Sequence, residues 1–226
     1  MNTIKSKFWL TILILPFVSG CGIGPESGNY PKEFPLELGT AFVYQISGDS
    51  VYTDTTYVFD RCNGSFVMSR EPEKSATLLQ NEEDFLIRLG NIITGPQAGT
   101  DSLSYYDKPV IEHIYKEGIY DSTTFSDYWI NHVFFGSVLE VEKIRNYKTS
   151  DGLALDVFRN RFIRTYAGDS ISAGFDYYLS KRGREKIQLI SSVEGEPFEV
   201  DASTELINVL NGVYPEKRIP LPSGCR

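Results

Sequence analysis

The feature that most constrains the fold is a series of short stretches in which apolar and polar residues alternate, separated by Gly, Asn and Asp. Residues 41–46 alternate in this way, and 175–180 do so again. The pairs Asn63-Gly64 and Asp151-Gly152 stand between such stretches and favour type I′ hairpin turns, whose central residues need a positive φ. Consecutive hairpins build an antiparallel sheet. We therefore predict a mainly β fold: an antiparallel curved sheet or half-barrel with one to three short helices.

Three segments carry the helix predictions. Residues 202–211 place three aliphatic side chains on one helical face, with a capping residue before them and Gly212 after. Residues 109–117 begin with a proline and end before Gly118, but the same residues also alternate like a strand. Residues 81–89 carry three acids before apolar residues and fit either structure.

The N-terminal segment has the pattern of a secretory signal. Lys5 and Lys7 precede an apolar stretch of eleven residues, 8–18, which suits a signal and is shorter than the ~20 residues that cross a bilayer. The sequence Val18-Ser19-Gly20-Cys21 resembles the bacterial lipobox. This resemblance implies that Cys21 is acylated and becomes the first residue, anchored by its acyl chains. The alternative is an ordinary cleaved signal with an incidental cysteine.

Three parts of the chain follow from this reading. We expect a lipoprotein signal peptide at 1–20, a lipidated Gly- and Pro-rich tether at 21–33, and a single β-rich domain at 34–226. Gly22 after the cysteine implies delivery to the outer membrane. Because Glu26 is the one acidic residue just after the cysteine, the periplasmic face is favoured over the cell surface.

The other two cysteines, Cys62 and Cys225, form an even pair in an oxidising compartment. We predict a disulfide between them, which in the chain-entropy model would contribute about 4–5 kcal/mol. The alternative is two thiols that never meet.

The opening of the domain, residues 34–44, resembles a "(Y)FPLxxGxxWVY" segment with which many Bacteroidota envelope lipoproteins begin their domain. The matching residues are Phe34, Pro35, Leu36, Gly39, Val43 and Tyr44, while Phe42 stands where tryptophan is usual. The resemblance implies a lipid-anchored, β-rich domain, and it transfers no catalytic residue.

Five Asp-(Ser/Thr)-apolar sequences resemble the O-glycosylation sequon of that phylum. Their hydroxyl residues are Ser50, Thr55, Ser102, Ser122 and Ser170. Asp-Ser and Asp-Thr are also ordinary turn and cap pairs, so both readings stay open.

Charge and composition exclude several functions. The formal net charge is −8 and becomes −10 without the signal segment, which leaves no electrostatic footprint for nucleic acid. His113 and His132 lack the short local spacing of a zinc site, so we expect no metal and no cofactor. Gly168-Asp169-Ser170-Ile171 imitates a block of a lipase/esterase family, but no histidine follows His132 to serve as its base.

Two surface features remain for binding. The densest aromatic stretch contains Phe125, Tyr128, Trp129, Phe134 and Phe135, which could line a ligand groove or belong to the core. The basic run 181–186 could touch anionic headgroups or be a solvated hairpin tip.

We predict a non-catalytic module, anchored in the membrane through Cys21, that binds an apolar or envelope ligand. The alternative is an assembly partner of an outer-membrane protein complex, and a glycan-acting enzyme is a more distant one. A ligand binder needs a pocket lined by aromatic residues, whereas an assembly partner has a filled core and an exposed apolar patch.

Overall fold

The computed structural model describes residues 28–48, 50–93, 102–120, 124–125, 127–130, 138–165, 171–193 and 196–225. Thirteen strands lie within these residues and belong to one sheet. The strands are β1 Thr40–Ser47, β2 Val51–Cys62, β3 Ser65–Ser69, β4 Ser75–Glu82, β5 Phe85–Ile93, β6 Ser102–Ile114, β7 Gly118–Tyr120, β8 Trp129–Ile130, β9 Val138–Lys148, β10 Ala154–Thr165, β11 Ile171–Ser180, β12 Gly183–Val193 and β13 Glu199–Leu210. The mainly β prediction is confirmed.

The sheet is a single curled layer with the order β7-β9-β10-β11-β12-β13-β1-β2-β3-β4-β5-β6-β8. All its neighbours are antiparallel except β6 and β8. The two halves meet where Asn160 on β10 contacts the end of β6: its Nδ2 donates to the Ile114 carbonyl at 2.9 Å, and its Oδ1 accepts from the Ile114 amide at 2.7 Å. The Asn160 side chain thus makes the two hydrogen bonds that the backbone of a neighbouring strand would otherwise make to Ile114. The two halves of the sheet are not joined by strand pairing here, so the sheet is a half-barrel rather than a closed barrel.

The predicted hairpins are present, with one difference in turn geometry. Asn63 and Gly64 both have positive φ, 50° and 86°, as a type I′ turn between β2 and β3 requires. Between β9 and β10 the chain instead makes a five-residue loop, 149–153, in which Gly152 has φ 83°. The Thr149 hydroxyl holds this loop by accepting from the Leu153 amide at 2.9 Å.

The prediction of short helices is wrong, because the described residues contain no helix. It follows that no helix in this part of the chain is long and apolar enough to cross a membrane. Residues 202–211 fall almost entirely in β13. Asn208 pairs with Val43 but Leu206 pairs with Tyr44, so Ile207 is an extra, bulged residue. The bulge returns Leu206 and Val209, three residues apart, to the same face. That spacing is what imitated a helix.

The other two helix predictions fail for related reasons. Residues 109–114 are the end of β6, where the register shift opposite Leu86 and Ile87 puts Ile111 and Ile114 into the same cluster. Residues 81–89 are a hairpin whose turn, Glu83-Asp84, joins β4 to β5. Glu83 has φ 49°, so the acids mark a turn rather than a helix start.

The concave side of the sheet is filled by one large group of apolar side chains, which we call the interior cluster. It holds nineteen buried residues, most of them from strands along the whole sheet, among them Phe42, Leu86, Ile114, Leu179 and Leu206 at 0% exposure. Burial on this scale is the main stabilising contribution to such a domain.

The N-terminal segment enters the interior cluster. Phe34 is 2% exposed, and its ring lies 5.4 Å from that of Phe42. The Asn81 side chain pairs with the backbone of Phe34 on both sides, accepting from its amide and donating to its carbonyl. Gly183 leaves room for these rings, since a Cβ there would lie 2.8 Å from Phe42. The Phe-Pro-Leu opening therefore fills the half-barrel.

A smaller group on the opposite face forms the outer cluster, with buried residues Phe59, Cys62, Val67, Ala76, Leu78, Ile92 and Ile219. The C-terminal tail, 213–225, covers it. The Ile219 amide donates to the Pro72 carbonyl at 2.7 Å, and Arg218 reaches the Phe59 carbonyl at 3.1 Å. Cys62 and Cys225 are bonded, with sulfurs 2.06 Å apart, across a sequence separation of 163.

Candidate functional site

The aromatic stretch that the sequence singled out lies where the two ends of the sheet meet. Phe125 packs edge-on against Phe85 of β5 at 5.3 Å and stacks on Tyr120 of β7 at 5.4 Å. Tyr128 approaches Phe85 at 6.3 Å. Since β5 and β7 belong to opposite ends of the strand order, Phe125 bridges the seam of the half-barrel.

We call the set Phe85, Ile119, Tyr120, Phe125, Tyr128 and Trp129 the seam patch. Phe85, Tyr120, Phe125 and Tyr128 are partly buried against the interior cluster. The alternative prediction, that the aromatic stretch belongs to the core, is therefore correct for the buried part of Phe125 and Tyr128. Phe85 and Tyr120 were missed in the sequence because they are distant along the chain from residues 125–129. Phe134 and Phe135 lie outside the described residues.

Two members of the patch are strongly exposed. Ile119 on β7 is 76% exposed and Trp129 on β8 is 62% exposed. β7 and β8 are the end strands of the sheet, each with one neighbour among the described strands. Natural edge strands usually carry charges or bulges that discourage pairing. A tryptophan and an isoleucine in these positions are instead typical of a surface that another molecule covers.

Carboxylates lie beside the two tyrosines of the patch. Tyr128 hydrogen-bonds to Glu82 and lies near the negative charges of Asp127 and Glu83. Burial, the hydrogen bond and these charges together raise the pKa of Tyr128. Burial and Asp84 likewise raise the pKa of Tyr120. The Tyr120 hydroxyl donates to the Lys116 carbonyl at 2.8 Å. The site therefore combines an apolar centre with an anionic rim, which favours a partner with the opposite charge at its own rim.

The polar groups inside the half-barrel have structural roles. His113 is 0% exposed, and its Nε2 accepts from Arg184 Nε at 3.1 Å and Nη2 at 2.7 Å. The ring lies 5.1 Å from Tyr177 and 6.2 Å from Phe34. Burial, opposed by Arg184, raises the pKa of Tyr177 to about 12. His113 is thus a fully buried residue among aromatic rings, while His132 lies outside the described residues.

The basic run 181–186 is divided between surface and interior. Lys181 is exposed, whereas Arg182 pairs with Asp151 at 2.8 Å across the adjoining loop. Arg184 points inward to His113, and Glu185 is 3% exposed with the Ser180 hydroxyl on its Oε1. Burial raises the pKa of Glu185, while Ser180 and Arg182 act in the opposite direction. The prediction of a solvated hairpin tip is therefore correct only for Lys181 and Arg182.

The predicted modification sites have different surroundings. Ser50 is exposed beside the turn from β1 to β2, where a glycan has room. Thr55 is half-buried within β2, opposite Val43, and the Asp54 carboxylate accepts its amide at 2.7 Å. Ser102 begins β6. Ser122, Ser170 and Cys21, the predicted acylation site, lie outside the described residues.

A second surface feature is polar. A groove of about 690 Å³ lies between the β3–β4 turn and the C-terminal tail, with Tyr57 and Tyr214 among charged side chains of residues 70–74 and 215–217. No group of three or more metal-ligating side chains occurs in the described ranges.

Comparisons with known proteins add no relative to this picture. No family model, no curated protein and no solved structure matches the chain. The likeness to Bacteroidota envelope lipoproteins therefore stays a prediction from the segment 34–44.

Proposed function

We propose that this chain is a lipid-anchored, non-catalytic module of the cell envelope that binds a protein partner through the seam patch. The observation that carries the proposal is the pair of exposed apolar residues, Ile119 and Trp129, on the two end strands of the sheet. Their strand neighbours Tyr120 and Ile130 face the interior cluster, so Ile119 and Trp129 are presented on the outer face of the two end strands.

The packing of the interior supports an assembly partner over an apolar-ligand binder. In the described part of the chain, nineteen buried residues pack together on the concave side, which is where a lipid carrier holds its ligand. The large groove at the surface is lined by charged residues and tyrosines rather than by a continuous apolar wall. The lipobox at 18–21 and the Gly- and Pro-rich stretch after it support the envelope location.

The partner should present an apolar surface flanked by lysines or arginines. Aromatic residues at the centre of an interface contribute most of its affinity, and the anionic rim of the patch would orient the encounter. Because rim charges are screened by salt, we expect the association rate to fall as ionic strength rises.

Site-specific photocrosslinking in the native envelope tests the proposal. Two variants, one with benzoylphenylalanine at position 119 and one with it at position 129, should give the same discrete adduct with one envelope protein. The matched control is position 51, where Val51 is 65% exposed at the start of β2, away from the seam. Trp129→Glu, introduced together with the probe at 119, should abolish the adduct.

Two outcomes would overturn the proposal. The same adducts from position 51 would mean that crosslinking reports exposure rather than docking, and no adduct from 119 or 129 would leave the patch without a partner. A discrete extra mass retained in native mass spectrometry of a secreted Cys21→Ser form would support the apolar-ligand hypothesis instead.

A further inference from the structure

The start of the described chain fixes where the tether leaves the domain. The Asn29 amide donates to Asp156 Oδ2 at 2.8 Å, and Tyr30 packs on Phe158 at 5.3 Å. Asp156 Oδ1 also accepts from the Asn146 amide at 3.1 Å. The chain therefore leaves beside the β9–β10 hairpin. From Cys21 to Gly28 an extended chain spans at most roughly 25 Å.

Basic residues concentrate around this exit. The ranges 28–33, 143–156 and 181–182 together hold six cations against three carboxylates, a net charge of +3. The rest of the chain after the signal holds 14 cations and 27 carboxylates. The β9–β10 loop and the β11–β12 turn lie at the same end of the sheet, as the Asp151–Arg182 ion pair joins them.

The basic side chains at this end are largely accessible. Lys32, Arg145, Lys148 and Lys181 are all exposed. The three carboxylates are Glu33, Asp151 and Asp156, of which Asp151 pairs with Arg182 and Asp156 accepts two backbone amides. We call the set Lys32, Arg145, Lys148 and Lys181 the basic rim.

We propose that the basic rim docks the domain on the anionic phospholipid headgroups of the membrane that carries its anchor. This inference rests on the proposed anchor at Cys21 and adds an orientation to it. A short tether keeps the rim at the surface, where each Lys or Arg strengthens attraction to an anionic leaflet about fivefold. The opposite end of the sheet, where Glu196 and Glu199 lie between β12 and β13 and at the start of β13, is repelled and points away from the membrane.

Fluorescence energy transfer to headgroup-labelled lipid tests this orientation. Coupling Cys21 of the full-length protein to a maleimide lipid removes any dependence on natural acylation, and a dye clicked onto an azide-bearing amino acid at one other position reports orientation. Position 154 is exposed at the basic end, and position 193, where Val193 is 56% exposed, lies at the far end of the 11-residue β12, which is roughly 33 Å away.

We expect transfer from position 154 to be higher in phosphatidylglycerol-containing vesicles than in pure phosphatidylcholine, and transfer from 193 to be lower. The triple variant Lys32→Glu, Lys148→Glu, Lys181→Glu should lose this difference. The triple variant Lys74→Glu, Lys108→Glu, Lys217→Glu has the same net charge and should keep it.

Equal transfer from both positions in both lipids would overturn the orientation. So would loss of the difference in both triple variants, because the effect would then follow net charge rather than the rim. A chain without acyl mass from its own host would overturn the proposed anchor alone, since the coupled protein tests the rim separately.

Discussion

The interior and outer clusters lie on opposite faces of the same sheet, and each is completed by a chain terminus in a different way. The N-terminal segment inserts Phe34 and Leu36 into a large cluster that already draws on strands of the whole sheet. The C-terminal tail adds Ile219 to a cluster of seven buried residues and is fixed there by a disulfide. The large cluster holds its terminal segment by apolar packing alone, whereas the small cluster buries less surface and its terminal segment is also held by a disulfide.

The two clusters also differ in polar content. The interior cluster encloses His113, Arg184 and Asn160, whose hydrogen bonds join β6 to β12 and β10. In the outer cluster the Ile219 amide and the Arg218 side chain of the tail donate to the carbonyls of Pro72 and Phe59. Buried side-chain networks specify which strands meet, while these bonds to carbonyls hold the tail in place.

The largest effect is expected from Phe34→Ala, which would leave a hole in the interior cluster. Removing a buried phenylalanine side chain costs about 3–5 kcal/mol of unfolding free energy. Urea denaturation measures it, and Leu38→Ala is the control, since Leu38 in the same segment is 45% exposed. Equal losses from both variants would mean that the segment is a loose strap rather than a plug.

The double variant Cys62→Ser, Cys225→Ser should destabilise the protein by about 2–5 kcal/mol. We expect amide hydrogen exchange to rise first in the tail and in β2–β4, while amides of β10–β12 keep their protection. If all strands lose protection together, the two clusters form one cooperative unit and the contrast between them fails.

Asn160→Ala should cost about 2–4 kcal/mol, because it leaves both the amide and the carbonyl of Ile114 buried without a partner. Asn160→Asp retains the hydrogen-bond acceptor for the Ile114 amide but not the donor to its carbonyl, so it should recover only part of the lost unfolding free energy. Thermal unfolding of the two variants beside the wild type measures this. A loss below that of Leu38→Ala would show that the seam closes without Asn160.

The smallest effect is expected from Glu185→Gln and depends on pH. Because burial raises the folded-state pKa of Glu185, its contribution favours folding below the unfolded pKa and is lost as pH rises through the folded pKa. The variant should therefore be relatively more stable at pH 7 than at pH 4. A difference in melting temperature between variant and wild type that is constant over this range would contradict the assignment.

Local sequence predicted most of the strands. The alternation of 41–46 and 175–180 and the turn at Asn63-Gly64 needed no tertiary knowledge, because side-chain period and positive φ are set within a few residues. The disulfide followed from parity and compartment. The helix predictions failed where bulges put residues three apart on one face, and a bulge depends on the neighbouring strand.

The seam patch could be predicted only in part. The density of aromatic residues at 125–129 was visible in the sequence, but their partners Phe85 and Tyr120 come from strands that meet only when the sheet curls. The same holds for Arg184, which the sequence places in a basic run and the fold turns toward His113.

Alternation, backbone preference and composition were enough to predict most strands, the Asn63-Gly64 turn and the cysteine pair from the amino-acid sequence. How far the sheet curls, which terminus fills which face, and which polar side chains are buried became visible only in the folded protein. Those outcomes depend on packing between residues distant in the chain, and no local pattern encodes the space that Gly183 leaves for Phe42 or the place that Asn160 takes beside Ile114.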